Sequence, residues 1–284
     1  MPNLYLEKIF YESLPDLPRR SPRERFVKYY SDLHATENLA VAESESFMQG
    51  GQYSFAQLGD KMLQKLQTEK LLEQLNLFVL THWSHEFDPD VACGAYFCER
   101  YKLPSVSFDV IDQGILAPFS AIKVIQAYLQ HENYSRALLL TIDQTTIPKV
   151  KEQKAVYPSL TSCAALLFSK EFDRQAIEII SIQLVQTTKL AQILNLLNMQ
   201  YNRSQEALEL FVNSDLKNFS RVRFGLVQKF KKMTRIDLRR NCAEWITLLK
   251  EISDRQLITS QHFVLISQDV ESTDWALILC KQPA

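Results

Sequence analysis

Apolar residues recur along the chain at two spacings, and the switches between them predict the elements. From Ala56 to Leu75, apolar Leu58, Met62, Leu66 and Leu75 follow the three- to four-residue period of a helix face. The short run Leu77 to Leu80 predicts a buried strand. A helix is expected over Val91 to Tyr101 and a second strand over Val106 to Ile111. Phe119, Ile122, Ile125 and Leu129 mark one face of a helix from Pro118 to Gln130, with Pro118 in the first turn, where its missing N–H is not needed. Ala137 to Ile142 reads as a third strand, and Cys163 to Phe168 and Ile177 to Val185 as further strands. Lys189 to Tyr201, Gln205 to Val212 and Cys242 to Ile252 read as helices. Two strands come last, Phe263 to Ile266 and Trp275 to Leu279. Alternating strands and helices of these lengths imply a parallel sheet with right-handed crossovers.

Composition narrows the chemistry. The 284 residues include six glycines, where average usage gives about 20. Phosphate-cradling loops and oxyanion nests need glycine, because backbone must approach a ligand closely or adopt positive φ. Neither G-x-x-x-x-G-K-[ST] nor G-x-G-x-x-G occurs, which argues against a phosphate-loop enzyme and an ordinary dinucleotide binder. A net charge of −1 argues against bulk nucleic-acid binding. No apolar run reaches the roughly 18 residues of a membrane span, and no signal peptide is evident at the N-terminus. Five cysteines without a C-x-x-C spacing fit a reduced, cytoplasmic protein with buried thiols.

In such sheets, ligands sit beyond the carboxyl ends of the strands. Ser107-Phe108-Asp109-Val110, a tight turn and a long helix form an arrangement that presents a nucleophile at a helix N-terminus. Here the sequence resembles the ketoacyl-ACP synthase III branch of the thiolase-like condensing enzymes. Leu77 to His82 with Phe87-Asp88-Pro89 resembles the strand and loop before the family's second helix. Phe108-Asp109-Val110 resembles the "FDV" strand before the catalytic cysteine, and Ala137 to Asp143 the next strand. Tyr157 to Phe168 resembles the segment written "FGDGAGAAVL", and Leu265 to Leu279 the closing hairpin, with Trp275 in the place of the Trp of "GGGxxWG". The resemblance implies an α/β, thiolase-like fold of two similar βαβαβ halves, layered α/β/α/β/α. It implies an N-terminal half over residues 1–171 and a shortened C-terminal half over 172–284, and it calls for no cofactor.

The same resemblance exposes what is missing. The nucleophile position falls within Gln113, Gly114 and Ile115, and no cysteine lies between Cys98 and Cys163. No histidine lies between His131 and His262, and no glycine after Gly225, so the general-base His and the "GN" asparagine motif are absent. The glycines of "GDGAG" align with Ser159 to Cys163, and the triple glycine with Val270-Glu271-Ser272, where a carboxylate opposes an oxyanion. Without a thiol there is no acyl-enzyme, and without His and Asn no oxyanion stabilisation.

The resemblance, so depleted, implies a non-catalytic subunit paired with an intact, cysteine-containing paralogue in fatty-acid, polyketide or quinolone-type biosynthesis. The strand with Leu138, Leu139, Leu140 and Ile142 is expected at the dimer edge. The loop with His82, Trp83, His85 and Phe87 is expected to wall the partner's acyl pocket. Lys217 to Arg240 holds nine basic residues and one acid, a net +8. A helix over Val227 to Thr234, with Lys229, Lys231, Lys232, Arg235 and Arg239 in or beside it, is the expected dock for an acidic acyl carrier protein; a solvated charged face is the plainer reading. His82-x-x-His85 with nearby carboxylates is read as a polar loop, with no metal, since zinc wants three or four convergent ligands. No nucleic-acid or membrane partner is expected. Two alternatives remain. One is a decarboxylase that uses Gln113 on a malonyl thioester, or an acyl-binding protein. The other is an α/β interaction module unrelated to these enzymes.

Overall fold

A computed structural model describes residues 4–19, 21, 23–36, 44–83, 86, 88, 90–111, 113–146, 158–203, 208–213, 232–236, 244–254, 260–269 and 274–282. In chain order these form β1 (Leu4–Ser13), α1 (Glu24–Thr36), α2 (Phe55–Thr68), β2 (Leu77–Thr81), α3 (Cys93–Tyr101), β3 (Ser107–Val110), α4 (Ala117–Leu129), β4 (Arg136–Asp143) and β5 (Ser162–Ser169). Then come β6 (Ile177–Val185), α5 (Thr187–Arg203), β7 (Leu208–Asn213), β8 (Lys232–Ile236), α6 (Glu244–Ser253), β9 (His262–Gln268) and β10 (Trp275–Lys281).

The strands run in the order β3-β2-β4-β5-β1-β6-β10-β9-β7-β8. The second five repeat the first. β2 pairs in parallel with β3 and β4, and β7 with β8 and β9. β5 pairs antiparallel with β4 and β1, and β10 with β9 and β6. The halves meet where Leu4 lies opposite Ile179 in the antiparallel β1–β6 ladder. The parallel pairing expected from the alternation holds among β2, β3 and β4 and among β7, β8 and β9, and the remaining pairs are antiparallel. The consecutive pair β2–β3 is parallel and joined through α3, and the consecutive pairs β4–β5 and β9–β10, with no helix between them among the described residues, are antiparallel.

Alternation along each strand makes the layers. Leu77, Val79, Leu139 and Leu166 face a central core built around α4 and α6. Their neighbours Phe78, Leu80, Leu138, Leu140 and Leu167 face an outer core with α2 and α3. In the second half, Phe211, Phe263 and Leu265 face the central helices, while Leu210, Val264 and Leu277 face α5. Phe119 of α4 and Trp245 of α6 meet at the middle with ring centroids 4.7 Å apart. The result is α/β/α/β/α.

Three expectations are corrected here. The segment Gln205 to Val212, expected as a helix, holds strand β7: Leu208, Leu210 and Val212 face one core and Phe211 the other, a period of two. Lys232 to Thr234, expected at the end of the basic helix Val227 to Thr234, instead begin strand β8 (Lys232–Ile236) against β7. Leu138, Leu139, Leu140 and Ile142 are not at an edge. They pair with β5 on one side, the three leucines also pair with β2 on the other, and all four are fully buried. Among the described residues, the open edge of that half belongs to β3, which pairs only with β2.

Candidate functional site

The carboxyl ends of β2, β3, β4 and β9 converge on the N-terminus of α4. β3 leads into a single turn of 3-10 helix, Gly114–Leu116, which runs directly into α4. Gln113 precedes that turn, and its side-chain oxygen accepts a hydrogen bond from the Ser120 hydroxyl in the first turn of α4. Gly114 has φ of +50°, the left-handed region that favours glycine. Ile115 is fully buried in the central core. None of the four cysteines among the described residues lies at this turn.

The space over Gly114 is filled. A Cβ placed on it would lie 2.7 Å from Asp269 Oδ1 and 3.4 Å from Trp83 Nε1. Asp269 follows β9 directly, and its N–H donates to the Asp274 carbonyl at 2.9 Å, closing the hairpin. Trp83 lies just beyond β2, after His82. Its N–H donates to Asp143 Oδ1 at 3.1 Å, and its ring packs against the central core. Beside it, the Thr81 and Thr141 hydroxyls are 2.9 Å apart and tie β2 to β4. Trp83, expected to reach a partner's pocket, is thus turned into its own chain. His82 is turned inward too, with its ring 4.7 Å from that of Phe55. His85 and Phe87 lie outside the described residues, as do Lys229, Lys231, Arg239 and Val270-Glu271-Ser272. Lys232 and Arg235 lie on the edge strand β8.

Sequence reading misses three members of this site: Asp269, Asp143 and Ser120. Asp269 stands one residue before the loop aligned with the family's triple glycine. The carboxylate expected to oppose an oxyanion at Glu271 thus has a counterpart two positions earlier, which the structure places at the turn. A nearby negative charge destabilises both a thiolate and an oxyanion.

Three of the four described thiols are poor substitute nucleophiles. Burial raises the Cys163, Cys280 and Cys93 thiols well above the ordinary range, with Glu86 adding to the effect at Cys93. Glu86 is itself unusual. It accepts hydrogen bonds from the Phe55 N–H at the start of α2, from the Asp88 N–H at 3.0 Å and from the Cys93 thiol at 3.6 Å. Its own carbonyl accepts from the Tyr30 hydroxyl of α1. Desolvation pushes its carboxyl up to about 7, outweighing those donors. A carboxyl raised on folding binds more protons in the folded state, so its burial costs stability as pH rises from the unfolded value through the folded one. Glu86→Gln keeps an acceptor without the charge. It is expected to gain about 2 kcal/mol over the parent at pH 8 and nothing at pH 4; urea denaturation at the two pH values checks this.

No family model matches the chain, and no curated protein is detectably similar in sequence. Solved structures are similar in shape over its whole length. ChlB3, an acyltransferase, superposes with a TM-score of 0.65 at 12% identity, covering 100% of this chain and 99% of its own. AbyA1, a tetronic acid condensing enzyme, gives 0.63 at 12%, covering 98% and 99%. The 3-oxoacyl-(acyl carrier protein) synthase III of Xanthomonas oryzae gives 0.61 at 11%, covering 98% of each chain. The chain has the thiolase-like fold. Identities this low establish the fold alone.

Proposed function

We propose that this protein is a non-catalytic ketosynthase-like subunit that pairs with an active, cysteine-containing condensing enzyme. The observation that carries the reading is the filled nucleophile turn: Gly114 where a side chain has no room, with Asp269 and Trp83 in the space an acyl thioester would need. Substituting Gln for Cys would remove activity while keeping a pocket. Here the Asp269 carboxylate and the Trp83 indole also crowd the turn, which fits a subunit kept for its surfaces.

The pairing surface in this reading is the open β3 edge. Beyond it Ile111 is 37% exposed, and an unpaired edge strand is a template for another strand. The basic residues Lys229, Lys231, Lys232, Arg235 and Arg239 are the proposed approach for an acyl carrier protein. The halves 1–171 and 172–284 form one body, in a cytoplasmic setting where the thiols stay reduced. The decarboxylase alternative is weakened, because the Gln113 side-chain oxygen is engaged by Ser120 and the adjoining turn faces the Asp269 carboxylate.

The test is co-expression with a cysteine-containing condensing enzyme from the same genome, one encoded beside this gene first, followed by gel filtration and assay. A one-to-one complex that is more active than the enzyme alone is the expected result. A stable homodimer of this chain that neither binds nor activates that enzyme would overturn the proposal.

A further inference from the structure

The geometry points to Trp83 as an internal plug: its indole occupies, within its own chain, the volume over the Gly114 turn through which an acyl chain would enter. The inference rests on the reading of that turn as a former acyl-thioester site. It deepens the subunit proposal by assigning acyl binding to the partner alone.

Three observations carry it. The two positions are neighbours, since a Cβ on Gly114 would lie in van der Waals contact with the Trp83 indole at 3.4 Å, and Trp83 supplies the bulk beside the turn. The backbone that carries the plug is anchored, because the Trp83 main-chain N–H donates to Asp143 Oδ1 and the Thr81–Thr141 contact ties together the strands that position both residues. The ring also has an apolar bed, the central core that includes Ile115, Phe119 and Trp245. A side chain so placed excludes an acyl chain by occupying the same apolar volume, and deleting it opens a space that water fills poorly and an alkyl chain fills well.

The test uses the full chain by itself and the fluorescent polyene fatty acid cis-parinaric acid as probe. The parent is expected to show no saturable binding at micromolar probe. Trp83→Ala is expected to bind it saturably and at least about tenfold more tightly, the equivalent of burying two further methylenes. Equal binding by parent and variant, or none by either, overturns the plug. Should Trp83→Ala fail to fold, Trp83→Phe serves instead. The emission difference between parent and Trp83→Phe isolates the Trp83 indole, expected to be blue-shifted and poorly quenched by acrylamide. Emission typical of indole in water, fully quenched, overturns the plug as well. Neither measurement involves the partner, so a plugged chain that pairs with nothing would sink the subunit proposal and leave this inference standing.

Discussion

Replacing Trp245 with alanine is expected to cost about 3–5 kcal/mol of folding stability, the largest effect of any single substitution proposed for this chain. Trp245 is fully buried in the second position of α6, stacked on Phe119 of α4. Those two helices form the middle layer, and both halves of the sheet close on them. Truncating the indole leaves a cavity between two rigid helices and two sheet faces, where collapse is limited. The indole N–H has no hydrogen-bond partner among the described residues, so it contributes volume and no compensated polar contact. Trp245→Phe removes that N–H along with part of the volume and is expected to cost no more than about 1.5 kcal/mol. The contrast between the two variants in urea or thermal denaturation is the check. An alanine variant as stable as the parent would mean that the halves do not close on these helices.

The first half of the fold is legible in the sequence, because β2 to β5 and α2 to α4 carry their own periodicity. β1 and α1 are not. β1 is only half-buried beyond Leu6, so its apolar signal is diluted, and α1 buries little beyond Phe26 and Tyr30. β7 reads as a helix because Leu208, Phe211 and Val212 fall at helical spacings. Only pairing with β8 and β9 reveals that both faces are buried. Tertiary pairing overrides local pattern most readily in such short apolar segments. The mistaken edge at Leu138 to Leu140 has a signal against it, since an unbroken apolar run marks a strand covered on both faces. At the site, the absence of a nucleophile is legible by alignment alone. What fills the gap is not, because Trp83, Gly114 and Asp269 come together from three different strand ends, and no local spacing records such a meeting.

Gly114→Cys puts a thiol back at the former nucleophile turn, and it is expected to lose stability without gaining chemistry. The backbone at φ of +50° disfavours any side chain by about 1 kcal/mol. The new Cβ would lie 2.7 Å from Asp269 Oδ1, so the carboxylate must move. Overpacking of this kind adds about 1–3 kcal/mol, for a total near 2–4. The α4 N-terminus favours a thiolate by its dipole. The carboxylate of Asp269 opposes it at shorter range, so the thiol is expected to stay protonated at neutral pH. Intact mass measurement after incubation with an activated acyl thioester is therefore expected to show no adduct. Adding Asp269→Ala is expected to recover about half of the lost stability, because it removes the nearest clash while leaving the strained φ. A single Gly114→Cys variant that folds like the parent and acquires one acyl group per chain would show that the turn is still open. Trp83 and Asp269 would then be neighbours of a working pocket, and the assignment of this chain as the non-catalytic partner would fall with its closure.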